Sequence, residues 1–250
     1  MVKLPRAILF DLDDTIISVF GNALATWERV AKEFACALAP LKPDDLAAAI
    51  ERHSRLLWAD PAWNKNWRVR IAEARRFIVA SAFAEFAAAG RLFLDPELGQ
   101  MIADRFTAVR EEGMSIFPGA HETLDRLKRL DVRLALVTNG AAEPQRAKVI
   151  RFALEARFDH IQIEAEHGFG KPEERAYTHA LEALGIGPRE TWMVGDNLEW
   201  EIAARNVSGF TQSGTTAIPP GSRPIAGSGP VGSSARCRNS SCGYWTRRKP

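Results

Sequence analysis

The chain has 250 residues, 46% of them hydrophobic and 26% charged, and a formal net charge of +2. That balance suits a globular protein of one large or two smaller domains, and it supplies no basic field for nucleic acid or a membrane surface. The charge is uneven: 26 basic residues stand against 31 acidic ones up to Glu201, and seven basic against none beyond it.

Three cysteines (Cys36, Cys237 and Cys242) are too few for a disulfide framework, and the last two have no His or Cys neighbours at zinc-ligand spacing. Met1–Pro5 leads straight into an apolar run without the pattern of a signal segment. No span is long enough to cross a bilayer, so a cytoplasmic protein is expected.

The first predicted element is a short buried strand, Ala7–Phe10. From about Ile17 to Ile116 the chain is rich in Ala, Leu, Arg and Trp and has no clear strand pattern. Asn22–Leu38, Asp44–Leu57, Asn66–Ala89 and Pro96–Glu112 have the spacing of amphipathic helices. Phe117-Pro118-Gly119 punctuates the return, and a helix at His121–Leu130 feeds a strand at Leu134–Val137. Helix Gln145–Phe152, a short strand at Ile161–Ile163, helix Glu173–Leu184 and strand Thr191–Val194 follow. The three main strands are continuous apolar runs, as expected of parallel strands covered on both faces. This alternation predicts an α/β fold, a doubly wound parallel sheet of Rossmann-like type with an all-helical cap inserted after the first strand. The expected divisions are a catalytic core from residues 1–17 and 117–204, a helical cap over 18–116, and an irregular tail over 205–250.

In a parallel sheet, ligands bind beyond the carboxyl ends of the strands, where loops converge. Asp11, Asp13 and Thr15 follow the first strand, Thr138 and Asn139 the second, Gly195 and Asp196 the last, and Lys171 lies in the Gly-rich GFGKPEE loop. Asp11, Asp13 and Asp196 are unstable together as bare negative charges. A hard divalent cation resolves this, and Mg²⁺ suits one or two carboxylates plus a phosphate. Thr138 offers a hydroxyl, the following amide a second donor, and Lys171 a cation, all donors for a tetrahedral anion. A carboxylate beside such a cation and an anchored phosphate can act as nucleophile and form an acyl phosphate. Asp14 is read as a helix or turn cap beside the site. Most of Trp58, Trp63 and Trp67 are expected to pack cap helices, with Arg68 and Arg70 solvated.

Four motifs stand in order: DLDDT at Asp11–Thr15, LVTNG at Leu136–Gly140, GKPE at Gly170–Glu173 and GDNLEWE at Gly195–Glu201. Together they resemble the haloacid dehalogenase-like hydrolase superfamily, in its branch with a helical cap after the first strand, and they cover residues 7–204. The resemblance implies Asp11 as nucleophile and metal ligand. It implies Asp13 as general acid/base that also lends its backbone carbonyl to the metal. Thr138, Asn139 and Lys171 would bind the phosphoryl group, Lys171 also pairing with Asp11, and Asp196 would be the third protein ligand of Mg²⁺. Glu201 departs from the Asp usual in this family, which bears on contacts around the metal.

A dehalogenase needs a carboxylate nucleophile but no acid, whereas a phosphate ester leaves as an alkoxide that needs a proton. Asp13 therefore favours a phosphatase acting on a small phosphorylated metabolite. A phosphomutase or 2-haloacid dehalogenase of the same fold stands as the alternative, and a receiver-like phospho-acceptor module as one of another class. The helical insert of about a hundred residues argues against the receiver, as does Asp13 as a built-in acid.

The tail after about Arg205 is crowded with Gly, Ser and Pro, and holds no acidic residue. Codons for Arg205–Ala217 can be chosen so that a frame two bases on reads QRLGIYAIWHDG, a turn and an apolar strand that the fold still needs. A shifted reading frame is therefore the favoured reading of the tail, with little regular packing after Arg205 and an exposed sheet edge expected.

Overall fold

The computed structural model describes residues 4–19, 21–90, 95–197 and, for the backbone alone, 215–217. Five parallel strands form the main sheet: β1 (Ala7–Phe10), β4 (Arg133–Thr138), β5 (His160–Ile163), β6 (Thr191–Gly195) and β7 (Thr215–Ala217). Their order is β5-β4-β1-β6-β7, with Leu9 opposite Ala135 on one side and Met193 on the other. Successive side chains of a strand point to opposite faces, so each apolar run splits between two cores. Leu9, Ala135, Val137 and Met193 pack with Tyr177, Leu181 and Leu184 of α10 (Glu174–Leu184). Ile8, Phe10, Leu134, Leu136 and Val194 pack on the other face with Leu124 of α7 (Ala120–Arg129) and Val149 of α8 (Ala142–Arg151). A one-turn helix, α9 (Glu164–His167), follows β5 directly.

Between β1 and β4 the chain forms a two-residue antiparallel ribbon, β2 (Ile17–Ser18) with β3 (Ser115–Ile116), and the described residues between these two strands form six α-helices. These are α1 (Ala23–Glu33), α2 (Ala35–Leu38), α3 (Pro43–Ala59), α4 (Pro61–Trp67), α5 (Ile71–Ala88) and α6 (Pro96–Glu112). They bury a separate apolar cluster that includes Trp27, Val30, Leu46, Ile50, Ile78, Phe83, Ile102 and Phe106, with Trp27 stacked on Phe106 at 3.5 Å between ring centroids. Asn22, Asp60 and Asp95 each cap a helix through a side-chain oxygen, accepting from Ala25, from Ala62 and Trp63, and from Glu97 respectively. Each such cap contributes about 1 kcal/mol. Pro61 and Pro96 add the preset φ of a first helical residue, which gives up no hydrogen bond there. Among the described residues no helix is long and apolar enough to cross a membrane.

Several expectations change. Asn22–Leu38 is two helices, because Phe34 leaves helical geometry at φ −104° and ψ 13°. The helix expected at Asn66–Ala89 begins only at Ile71, because α4 runs to Trp67 and Arg68–Arg70 is a 3₁₀ turn. The β2–β3 ribbon puts strand pairing where none was read, since two residues carry no periodic signal. The bare edge expected beside β6 is covered: Thr215–Ala217 pairs with Met193–Gly195 in parallel register. Ladder bonds join backbone groups only, so a short extended run with two β-branched threonines can fill that edge. The rest of the tail read as frameshifted lies outside the described residues.

Candidate active site

β1 lies between β4 and β6, so the segments that leave these three strands share one end of the sheet. Asp11 follows β1 and is buried, its Oδ1 accepting from the Leu12 amide at 2.7 Å and meeting Lys171 Nζ at 2.8 Å. Lys171 is fully buried. Burial pushes the Asp11 carboxyl up from the ordinary carboxylate range, against the pull of Lys171.

The Asn139 side chain locks two loops together. Its Nδ2 donates to the Lys171 carbonyl at 2.7 Å, and its Oδ1 accepts from the Lys171 amide at 2.8 Å. Thr138 ends β4 and is buried, its hydroxyl oxygen accepting from Gln145 Nε2 at 2.7 Å. Gln145 also donates to the Asn139 carbonyl at 2.8 Å and to Asp13 Oδ2 at 3.2 Å. Asp13 is bound further by Lys148 Nζ, at 2.9 and 2.8 Å to its two oxygens. Asp14 has a left-handed φ of 54° and accepts from the Val19 amide at 2.8 Å, the turn-capping role read for it.

Gln145 and Lys148 are the residues missed in the sequence. They lie three apart on the first turns of α8, the helix that leaves the LVTNG loop, so both face that loop's end of the sheet. That spacing was the available signal. Arg68, expected to be solvated, is instead half-buried against Glu164, with Nη2 at 2.6 Å from Oε1. Trp67 stacks on Phe77 at 5.3 Å and carries Arg70 over its ring at 4.9 Å, so it packs the helices as read.

Asp196 follows β6. Burial, then the charges of Asp11 and Asp14, push its carboxyl up to about 6. Among the described residues no group of three or more His, Cys, Asp or Glu side chains is arranged to hold a metal ion. The set read from the sequence asks less of the side chains: two carboxylates, Asp11 and Asp196, and the backbone carbonyl of Asp13. A divalent cation would relieve the repulsion of Asp196 by neighbouring carboxylates, and an all-oxygen set with open positions suits Mg²⁺. The residues present therefore fit that ion. Glu201 lies outside the described residues.

A family model for haloacid dehalogenase-like hydrolases matches residues 5–208. The chain belongs to that family. It is 36% identical over 203 residues to a glyceraldehyde 3-phosphate phosphatase of Pyrococcus furiosus, covering 81% of this chain and 77% of that one. A phosphoserine phosphatase of Thermus thermophilus is 34% identical over 114 residues, 46% of this chain and 45% of the relative. That alignment spans less than half of either protein. Among solved structures, a haloacid dehalogenase-like hydrolase of Bacillus subtilis bound to magnesium superposes with a TM-score of 0.59 at 24% identity, over 89% of this chain and 90% of that one. The haloacid dehalogenase-like fold thus extends across the parallel sheet and the inserted helices.

Proposed function

We propose that this hydrolase of phosphate monoesters works through an aspartyl phosphate on Asp11, with Mg²⁺ as its cofactor and a small phosphorylated metabolite as substrate. The observation that carries this reading is the buried Asp11–Lys171 pair beside Asp13 and Thr138 at one end of the sheet. Asp11 Oδ2 attacks phosphorus while the bond from phosphorus to the ester oxygen breaks. Lys171, the Thr138 hydroxyl and the Asn139 amide hold the phosphoryl oxygens. Asp13 gives its proton to the departing alkoxide, then takes one from the water that cleaves the Asp11–phosphorus bond. Asp11, the Asp13 carbonyl and Asp196 would hold Mg²⁺, which when bound offsets charge on the phosphoryl oxygens.

Steady release of phosphate from p-nitrophenyl phosphate with Mg²⁺ tests the class, and a panel of monoesters headed by glyceraldehyde 3-phosphate tests the substrate. A single equivalent of phosphate without turnover would instead fit a phospho-acceptor module, and transfer to a second sugar a mutase.

The raised Asp196 carboxyl sets a pH dependence. A carboxyl shifted upward favours the folded state while protonated, and that contribution is lost as pH rises through about 6. In metal-free buffer, Asp196→Asn should therefore gain on the wild type in Tm as pH rises from about 4 through 6. Metal binding needs the ionised carboxylate, so Mg²⁺ should raise the wild-type Tm more at about pH 8 than at about pH 5. Equal Mg²⁺ effects at the two pH values would remove Asp196 from the metal set.

The inserted helices act in this scheme as a lid that shields the acyl phosphate from early water and then opens. Its hinges are Ser18–Gly21, which begins at the end of β2, and Gly113–Pro118, which contains β3; buried Arg110 donates to the Val19 and Gly21 carbonyls beside them. Hydrogen exchange with a metal fluoride mimic of phosphate should show new protection along the seam between the helices and the sheet. Unchanged exchange there would count against a moving lid.

A further inference from the structure

The ion pair of half-buried Arg68 with buried Glu164 is not used by the scheme above. Arg68 opens the 3₁₀ turn between α4 and α5, and Glu164 is the first residue of α9. The guanidinium grips the carboxylate with Nε at 3.0 and 2.8 Å from its two oxygens and Nη2 at 2.6 Å from Oε1. Their side chains are 13% and 6% exposed, so the charges meet almost out of water. The partners stand 96 residues apart, one in the helical insert and one just beyond the end of β5.

The same carboxylate reaches the phosphate loop. Glu164 Oε2 accepts from the Gly140 amide at 3.0 Å, two residues after Thr138. On its other side it packs against Gly170, where an added Cβ would fall 2.7 Å from Glu164 Cδ and 2.6 Å from Asn139 Oδ1. Glycine before Lys171 is thus what leaves room for Glu164. One carboxylate touches the loop that carries Thr138 and Asn139, the loop that carries Lys171, and the inserted helices. A second, more exposed pair, Lys65 with Glu173 at 3.2 Å, crosses in the same place.

An unpaired carboxylate at this spot would repel an arriving phosphate, because both charges sit in a poorly solvated region. Arg68 removes that repulsion only while its turn is seated on the core. We propose that Glu164 is a positioning residue that makes seating of the Arg68 turn and formation of the phosphate site at Thr138, Asn139 and Lys171 a single event. This rests on the phosphatase reading above. By linkage, phosphate must then favour the seated turn as strongly as the seated turn favours phosphate.

The test is calorimetric binding of inorganic phosphate to the Mg²⁺-loaded protein, with turnover of p-nitrophenyl phosphate measured alongside. Arg68→Met keeps the stem and exposes the Glu164 charge, and should weaken phosphate binding about tenfold or more. Adding Glu164→Gln to it removes the charge and should bring binding back to within about threefold of the wild type, a rescue that lost packing alone cannot give. Phosphate should protect residues 61–70 from exchange in the wild type, and Glu164→Gln by itself should lose that protection. That last comparison decides the matter even if Arg68→Met does not fold. A double variant as weak as Arg68→Met, or phosphate-induced protection unchanged in Glu164→Gln, overturns the inference alone. A wild type that neither hydrolyses the ester nor binds phosphate overturns the phosphatase reading with it.

Discussion

Asp11→Asn should abolish turnover, by at least about 10⁴-fold in kcat, the scale for removing a covalent nucleophile. An amide can neither attack phosphorus nor carry the charge that Lys171 and a cation require. The substitution also leaves the fully buried Lys171 without its carboxylate at 2.8 Å, so the variant should melt earlier as well. Asp11→Glu separates the two effects. It keeps the charge beside Lys171 but displaces the attacking oxygen by a methylene, and misplacement of about 1 Å costs about 10²-fold in rate. A stable Asp11→Glu protein with little activity would assign the loss to chemistry. Near-normal ester hydrolysis by Asp11→Asn would refute the covalent route.

Asp13→Asn should bind metal normally, because its share in the metal set is a backbone carbonyl. In kcat/KM for an alkyl phosphate it should lose about 10²–10⁴-fold, the usual worth of a positioned acid. The loss should be much smaller for p-nitrophenyl phosphate, whose phenolate departs without a proton. The second step needs Asp13 as a base with either substrate, so kcat should fall for both. Equal losses in kcat/KM for the two esters would mean that Asp13 is not the acid. In the structure the Asp13 carboxylate faces Lys148 and Gln145. It must therefore turn, or draw both partners along, to reach a leaving group.

The parts of the fold written as local pattern were legible in the sequence. β1 reads as a strand with both ends correct because Ala7–Phe10 is apolar throughout and Asp11 stops it. The helix Pro96–Glu112 is bounded as read because Asp95-Pro96 starts it and Gly113 ends it. The helix Pro61–Trp67 was passed over although Asp60-Pro61 carries the same start signal, since seven residues are too short for a clear period. Four motifs in order identified the end of the sheet where Asp11, Thr138 and Lys171 meet. What was not legible depends on partners distant in sequence. Arg68 looks like a surface arginine until Glu164 is folded beside it, and Gly170 looks like ordinary loop glycine until its missing Cβ is seen to clear Glu164. Lys148 and Gln145 stood between: helical spacing aimed them at the site, but only the fold shows that Asp13 is what they hold.

In the proposed mechanism Asp11 carries the phosphoryl group. Mix the Mg²⁺-loaded enzyme with excess p-nitrophenyl phosphate, quench in acid within the first turnovers, and analyse the peptide that contains Asp11 by mass spectrometry. A phosphoryl adduct should be found on Asp11, be absent from Asp11→Asn, and accumulate in Asp13→Asn, where water is poorly activated. Turnover with no adduct in either the wild type or Asp13→Asn would contradict the account.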